Sequence, residues 1–252
     1  MSTMNEILKT EGYLKEIYSV LNLKQATMPA EKNLKNVAPT IETITIGGSA
    51  ENLGIILPLE YIESTGTQWI DTQYTPTTNN LKIEMELSTS KIPTSEEDIF
   101  GNVNNDDTSS GRFILGFYQG YVFLYSRTSS TGSNDGNVTN TALPLNTKST
   151  IIAEYDGKNK KRTLTINGTA SSSNVFKTNI LNTNPIAIFS GGTKADTTKS
   201  SIKLYSFKIY DDGILVRDFK PCYFENSGIR GLYDLVNNKV YYNEGTGEFL
   251  AG

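Results

Sequence analysis

Histidine is absent from this 252-residue chain, and cysteine occurs once, at Cys222. Without histidine the chain lacks the commonest general base and metal ligand, which excludes Ser-His and Cys-His nucleophile arrangements and ordinary zinc sites. A single cysteine cannot form an internal disulfide. Because Cys222 follows Pro221 in a strand-rich region, we expect it to be a small core residue rather than a nucleophile.

Long apolar runs and an excess of positive charge are also missing. No segment approaches the ~18–20 consecutive apolar residues of a membrane span, and the charged N-terminus lacks the apolar stretch of a signal peptide. The formal net charge of −4 does not favour binding to the negatively charged phosphates of nucleic acid. We therefore expect a chain made in the cytoplasm, with no membrane insertion and no nucleic-acid partner. The densest basic run, Lys158–Arg162, is expected to be a solvated hairpin tip.

The chain is rich in Thr, Ser, Asn, Gly and Tyr, which favour strands and turns. Apolar residues alternate with charged ones from Leu81 to Leu87, which predicts a half-buried strand. The run from Arg112 to Ser126 is apolar on both faces, as in central strands of a sandwich, with Gly120 as the turn. Thr150–Tyr155 and Thr163–Ile166 predict a hairpin around the basic run. Two antiparallel sheets packed face to face bury so many short strands best.

The last fifty residues predict two further hairpins. Alternating runs flank Asp211-Asp212-Gly213, which is the chemistry of a tight turn. The strands Gly231–Val236 and Lys239–Asn243 are separated by Asn237-Asn238. This dipeptide predicts a two-residue turn with positive φ at both positions.

The N-terminal segment is the one convincing helix, over residues 4–23. Steps of three and four define a heptad-like seam, with apolar side chains at Met4, Ile7, Leu14, Tyr18 and Leu21 and Glu11 in its one polar position. We expect residues 1–23 to form an anchoring helix that assembles the chain into a homo-oligomer, a trimer in first place. The alternative is an amphipathic helix packed on its own β domain. Residues 24–56 are expected to form a connector with one short strand, and residues 57–252 a single β domain.

Two long phrases carry a family resemblance. The opening phrase Leu57–Thr77 (LPLEYIESTGTQWIDTQYTPT) and the closing phrase Ser201–Leu250 resemble the LamG-like branch of the concanavalin A-type jelly rolls. They are most similar to versions carried by phages and prophages of gut bacteria. The resemblance implies an all-β, antiparallel two-sheet jelly-roll sandwich. It also implies binding of glycans or proteins through a sheet face or the loops at one edge.

Combined with the helical anchor, the resemblance favours a non-enzymatic bacteriophage virion protein. Such a protein would belong to the tail, the baseplate or a head fibre or decoration, assemble in the host cytoplasm, contact other virion proteins through its N-terminal region, and bind a host-surface glycan or protein. A carbohydrate-binding module of a cellular or prophage protein is the alternative. A degenerate polysaccharide hydrolase ranks below both, because Glu84-Met85-Glu86 lacks the central Asp and third acid of the family's Glu-x-Asp-x-x-Glu motif, and its two Glu side chains are expected to face solvent.

Aromatic and amide side chains are the candidate ligand contacts, since sugar recognition combines an aromatic platform with a few orienting polar groups. The candidates are Tyr118, Tyr121 and Tyr125, with Asn104, Asp106 and Asp107 from the adjoining loop. Tyr121 and Tyr125 have the same strand parity and should point the same way. The alternative places all three tyrosines in the core. No cofactor is expected; Asp106 and Asp107 offer oxygens suited to Ca²⁺, as in some relatives, or belong to a flexible polar loop.

Overall fold

The computed structural model describes residues 55–103, 111–127, 137–173, 180–193, 200–225 and 227–252. The chain divides into two compact units. One unit comprises residues 58–223 and 229–252. In the other, the backbone N–H of Glu225 donates a hydrogen bond to the carbonyl of Ile55 at 3.0 Å.

All of the regular secondary structure in the described residues is β-strand. In chain order these are β1 (Ile56–Pro58), β2 (Ile62–Glu63), β3 (Ile70–Asp71), β4 (Asn80–Ser88), β5 (Glu97–Gly101), β6 (Arg112–Tyr118), β7 (Tyr121–Arg127), β8 (Asn137–Asn140), β9 (Ser149–Asp156), β10 (Lys161–Ile166), β11 (Thr169–Ser173), β12 (Ala187–Ile188), β13 (Lys203–Asp211), β14 (Ile214–Phe224), β15 (Arg230–Asp234), β16 (Lys239–Tyr242) and β17 (Leu250–Ala251). The resulting architecture is an all-β sandwich, which confirms the predicted fold class.

Two antiparallel sheets make up the sandwich. The larger sheet follows the order β11–β10–β9–β4–β13–β14–β15–β16, and β2 pairs with both β13 and β17. The smaller sheet follows the order β3–β12–β5–β6–β7–β8. The central strands β4 and β13 lie side by side although more than a hundred residues separate them.

The core lies between the sheets and is built by the period-two alternation of the strands. In β4 the side chains of Leu81 to Leu87 alternate between the core and the outer face, because successive residues of a strand point to opposite sides. Aromatic rings join the sheets: Phe100 of the smaller sheet meets Phe207 of the larger at 5.6 Å between centroids. Phe113 meets Tyr155 at 5.3 Å in the same way. Ring contacts of this kind add stability beyond their buried area.

The opening and closing phrases of the domain are hydrogen-bonded to each other. Gln68, which is buried, donates through its side chain to the carbonyl of Glu248 at 3.0 Å. The hydroxyl of Thr67 donates to the carbonyl of Thr246 at 2.8 Å. Nearby, the Trp69 ring packs against the core and Ile70 is fully buried. The phrases that resemble the family therefore serve as framework in this structure.

A second anchor holds the opening phrase to the end of β13. The buried carboxylate of Asp211 accepts hydrogen bonds from the Tyr74 hydroxyl at 2.7 Å, from the Thr77 N–H at 2.7 Å and from the Thr77 hydroxyl at 2.8 Å. The Thr78 hydroxyl donates to the other carboxylate oxygen. Burial alone would raise the pKa of Asp211, but the bonds from Thr78, Tyr74 and Thr77 outweigh it and lower the pKa below its usual value.

The predicted turn at Asn237-Asn238 is wrong in detail. The β15–β16 connection is a four-residue loop rather than a two-residue turn, and only Asn238 has a positive φ. The loop is built by Asp234, whose side chain accepts from the Val236 N–H at 3.0 Å while its carbonyl accepts from the Asn238 N–H at 2.8 Å. Among the described residues, consecutive positive φ angles occur instead at Gln119-Gly120, Asn167-Gly168 and Asp212-Gly213.

The basic run is not wholly a solvated tip. Arg162 is fully buried, because it is the second residue of β10 and alternation turns its side chain inward. There its guanidinium donates to the Ser126 hydroxyl at 3.2 Å. The polar segment 126–140 has the composition of a turn, yet its last four residues form the short strand β8. Charge and turn composition did not reveal these long-range placements.

Several predictions lie outside the described residues. They are the helix over 4–23 with its seam at Met4, Ile7, Leu14, Tyr18 and Leu21, nearly all of the connector, and the loop residues Asn104, Asp106 and Asp107. In the part of the chain that the structure describes, no helix has the length and apolar character needed to cross a bilayer.

Candidate functional site

The three candidate tyrosines lie together at the outer side of the smaller sheet. Tyr118 and Tyr121 are directly opposite each other across the β6–β7 pair, with their rings edge to face at 6.3 Å between centroids. Tyr125 lies on the same face of β7 as Tyr121, opposite Ile114. Tyr118 has 37% of its surface exposed. The expected ligand-contact role of these residues stays a prediction.

A small apolar cluster supports this face, separately from the main core. Val103, Ile114 and Phe123 are buried together, and Tyr121 and Tyr125 pack against them. The tyrosines are thus neither core residues of the sandwich nor loose surface side chains. They form the rim of a patch whose base is buried, and we call Tyr118, Tyr121, Tyr125 and this cluster the tyrosine face.

A glycine makes the close packing of the tyrosine face possible. Gly116 lies opposite Phe123, and a Cβ atom added at Gly116 would come within 2.9 Å of the Phe123 ring and 2.7 Å of the Glu97 carbonyl. Such distances are shorter than van der Waals contact, so a side chain here would displace Phe123. The Phe123 ring therefore packs directly against the backbone of Gly116, and no side chain from β6 lies beneath it at this position.

The backbone that carries the tyrosines is held on both sides. The β6–β7 turn has positive φ at Gln119 and Gly120, and their N–H groups donate to the carbonyls of Thr94 at 3.2 Å and Pro93 at 3.3 Å. From the core side, the hydroxyl of Tyr155 donates to the carbonyl of Tyr125 at 3.0 Å. Burial raises the pKa of Tyr155, so this hydroxyl remains a donor.

Three asparagines fix the chain before and after residues 104–110, which include the candidates Asn104, Asp106 and Asp107 and lie outside the described residues. The Asn182 amide donates to the carbonyls of Asn102 at 2.6 Å and Gly111 at 2.8 Å, which links these two positions. Asn102 and Asn184 add bonds to the carbonyls of Ile180 and Val103. Sequence reasoning missed these residues, and the Asn182-Thr-Asn184 spacing was the one local signal available.

The tyrosines around the larger sheet have a different environment. Cations lie over three of their rings: Lys82 Nζ 4.1 Å from the Tyr210 centroid, Lys148 Nζ 4.7 Å from that of Tyr205, and Lys203 Nζ 4.2 Å from that of Tyr61. Among the described residues no cation lies over the rings of Tyr118, Tyr121 or Tyr125. The rings of the tyrosine face therefore differ from these three, each of which has an ammonium group over one face.

The acidic pair considered for hydrolysis is engaged in local contacts. Glu84 forms an ion pair with Lys82 at 2.7 Å and accepts from the Tyr210 hydroxyl at 3.2 Å. Glu86 contacts Lys148 at 3.2 Å. Within the described residues, no group of three or more His, Cys, Asp or Glu side chains is arranged to hold a metal ion.

Cys222 is buried, and burial raises the pKa of its thiol to about 12. At neutral pH the thiol is therefore protonated, which is the inert state of a cysteine.

No protein-family model matches the sequence, and no curated protein matches it. Solved structures do resemble it in fold. A candidate carbohydrate-binding protein from Bacteroides ovatus superposes with a TM-score of 0.51 and 13% identity, over 77% of this chain and 60% of that one. The Ruminococcus gnavus IT-sialidase CBM40 gives a TM-score of 0.48 at 15% identity over 62% of this chain and 92% of its own. Domains LG4-5 of the mouse laminin α1 chain give a TM-score of 0.47 at 13% identity, over 62% of this chain and 41% of that one. The similarity to the Bacteroides ovatus structure concerns the fold, which in this chain is an antiparallel two-sheet sandwich.

Proposed function

We propose that this protein is a non-enzymatic binding module that holds a glycan against the tyrosine face of its smaller sheet. The observation that carries the proposal is the open, supported set of rings at Tyr118, Tyr121 and Tyr125. Aromatic rings pack against the apolar face of a sugar ring while their hydroxyls bond its polar groups. The fixed backbone beneath them lowers the ordering cost of binding, which is how preorganisation raises affinity.

The chemistry of the chain supports binding rather than hydrolysis. Histidine is absent from the sequence. The carboxylates Glu84 and Glu86 make ion pairs with neighbouring lysines instead of facing each other across a cleft. A retaining glycosidase needs two carboxyl groups about 5–5.5 Å apart on either side of the scissile bond. Assays for new reducing ends on the bound polysaccharide should therefore stay at background.

Alanine replacement of Tyr121 tests the site. We expect Tyr121→Ala to weaken binding of the full chain to an array of purified bacterial polysaccharides by about tenfold or more, since central aromatic anchors dominate such interfaces. Tyr210→Ala is the matched control, because Tyr210 is a half-buried strand tyrosine whose ring is covered by Lys82. The proposal is contradicted by equal binding of both variants, or by binding losses that follow the melting temperature alone.

We further propose a place for the module in a bacteriophage virion, on a tail, baseplate or head fibre, with the N-terminal region joining it to other virion proteins. The support is the resemblance of residues 57–77 and 201–250 to phage-borne LamG-like domains. The alternative, a carbohydrate-binding module without a virion role, shares the same tyrosine face. Antibody against this chain should label purified phage particles in electron micrographs. Labelling of bacterial cells alone would favour the alternative.

A further inference from the structure

A small polar cavity of about 190 Å³ lies on the outer side of the larger sheet. Its floor is a row of paired residues, Glu63, Lys203 and Ser88, in which Lys203 is the cross-strand partner of both others. The adjacent row, to which Leu204 belongs, points into the core. The floor side chains therefore point away from the core.

Three separate segments of the chain supply the walls. They bring in Ser90 after β4, Asn146 from the loop before β9, and Ser201 before β13. Within the described residues, the hydroxyls of Ser90 and Ser201 and the side-chain amide of Asn146 make no hydrogen bond to protein. Polar groups that converge on one cavity without protein partners are the usual means by which a site orients its ligand.

Backbone hydrogen bonds hold the walls in place before any ligand arrives. The N–H of Asn146 donates to the carbonyl of Thr89 at 2.8 Å, which ties two walls together. The N–H of Ser201 donates to the Glu97 carboxylate at 3.3 Å. One residue further on, the carbonyl of Ile202 accepts from the Ser64 N–H at 3.0 Å. The cavity is therefore preorganised.

Charge and size together restrict the ligand. Lys203 Nζ lies 4.0 Å from the Glu63 carboxylate and 3.2 Å from the Tyr61 hydroxyl, so its charge is already balanced. A neutral ligand is favoured over an ion in such a site. The cavity volume corresponds to about six water molecules at ~30 Å³ each. This is below the range of ~300–1,000 Å³ for drug-sized ligands and suits a single small ring.

Tyr205 also lines this cavity, but it does not act as an aromatic platform, because Lys148 Nζ lies over its ring at 4.7 Å from the centroid. Its hydroxyl shares a hydrogen bond with the Ser88 hydroxyl at 3.2 Å, which adds a polar group to the floor. Several hydroxyls and a side-chain amide are together suited to hydrogen bonding with a polyhydroxylated ring.

We propose that this cavity is a second carbohydrate site, which takes one neutral monosaccharide unit through Ser90, Ser201 and Asn146. It goes beyond the tyrosine face, because it lies on the outer side of the other sheet and uses none of the same residues. Either site can be lost without the other.

Saturation-transfer difference NMR on the full chain tests the second site. The probes are free D-glucose, D-galactose, D-mannose, L-rhamnose and N-acetyl-D-glucosamine. A ligand of about a dozen heavy atoms is expected to bind with a millimolar Kd. At least one sugar should give a saturating signal with the wild type and with Tyr121→Ala.

Three variants assign that signal to the cavity. Ser90→Trp, at an exposed position, fills the space and should abolish the signal. Ser201→Ala and Asn146→Gly each remove one hydrogen-bonding group and should weaken binding about fivefold. Glycine is chosen because Asn146 has a φ of 53°, which glycine adopts freely. Melting temperatures of all three are measured alongside.

The outcomes separate the two proposals. A signal that persists in Tyr121→Ala and falls in Ser90→Trp, Ser201→Ala and Asn146→Gly supports the second site. The inference is overturned if no sugar gives a signal, or if the signal survives Ser90→Trp and is lost only in Tyr121→Ala. The tyrosine face is judged independently by polysaccharide binding of Tyr121→Ala.

Discussion

Replacing Asp211 with asparagine removes a charge that four hydrogen-bond donors share. Three of them, the Tyr74 hydroxyl and the N–H and hydroxyl of Thr77, donate to one carboxylate oxygen, and the Thr78 hydroxyl donates to the other. Asparagine keeps one acceptor oxygen for three of these donors, and the Thr78 hydroxyl has to turn from donating to accepting in order to meet the new amide group. The substitution therefore removes the charge from all four contacts and weakens the hydrogen bonds that remain.

The size of the effect follows from these contacts. Hydrogen bonds to a charged group contribute about 1.5–3 kcal/mol each, and those between neutral groups about 0.5–1.5 kcal/mol, so each of the four contacts becomes weaker. Partial rearrangement offsets some of this loss, so we expect Asp211→Asn to lower the free energy of unfolding by about 2–4 kcal/mol. For a chain of this size the melting temperature should fall by about 5–15 °C.

Urea denaturation followed by tryptophan fluorescence measures the change, with Asp212→Asn as the control. Asp212 is the neighbouring acid in the same turn; it is exposed and has a φ of 49°, which asparagine tolerates well. The control should stay within about 0.5 kcal/mol of the wild type. An Asp211→Asn loss no larger than that of the control would refute the reasoning.

The pH dependence provides an independent check on Asp211. Its pKa is lower in the folded protein than the usual value of 3.8, so the folded state favours the ionised carboxylate. The stability that the ionised carboxylate contributes is fully present above the pKa of Asp211 in the unfolded chain. It is lost as the pH falls through the pKa of Asp211 in the folded protein. The difference between the wild type and Asp211→Asn should therefore be constant from neutral pH down to about 5 and shrink below 4. A difference that grows on acidification would contradict the assignment.

Further predictions concern assembly, the thiol and the tyrosine face. Light scattering should show residues 57–252 as a monomer and the full chain as a homo-oligomer, most simply a trimer; an unchanged oligomer after removal of residues 1–24 would remove the assembly role of the helix. Native Cys222 should resist thiol reagents until denaturant is added, because its thiol is buried and protonated; neither reductant nor zinc chelator should alter the melting curve. Gly116→Ala should destabilise the fold by about 1–3 kcal/mol through overpacking against Phe123, as measured by denaturation, and no loss would mean that the ring moves freely.

Local alternation predicted the strands because it depends only on neighbouring residues. The pattern from Leu81 to Leu87 is β4, and the turn at Gly120 separates β6 from β7. Parity placed Tyr121 and Tyr125 on one face for the same reason. The Asp211-Asp212-Gly213 turn was recognisable because aspartate and glycine are the residues that accept positive φ.

Features that depend on distant parts of the chain were not predictable in this way. Asn237-Asn238 has the composition of a two-residue turn, yet the Asp234 side chain captures the loop and lengthens it. Arg162 belongs to a basic run, yet its position in β10 places it inside. The hydrogen bonds donated by the Asn182 side-chain amide connect segments that are far apart in sequence. The cavity of the proposed second site is likewise lined by segments far apart in sequence. None of these leaves a periodic signal along the chain.

The hydrogen bond from Gln68 to Glu248 has a consequence for synthesis on the ribosome. The two residues are 180 positions apart, and β4 reaches its partner β13 only after more than a hundred further residues. At about 5–20 residues per second, roughly 10–35 s pass between translation of Gln68 and of its partner. Until β13 has been translated, β4 presents one unpaired edge, the type of surface on which chains aggregate. The sandwich is therefore completed only after the closing phrase has been translated, and shortening that phrase should lower the soluble yield more than an equal deletion in an exposed loop.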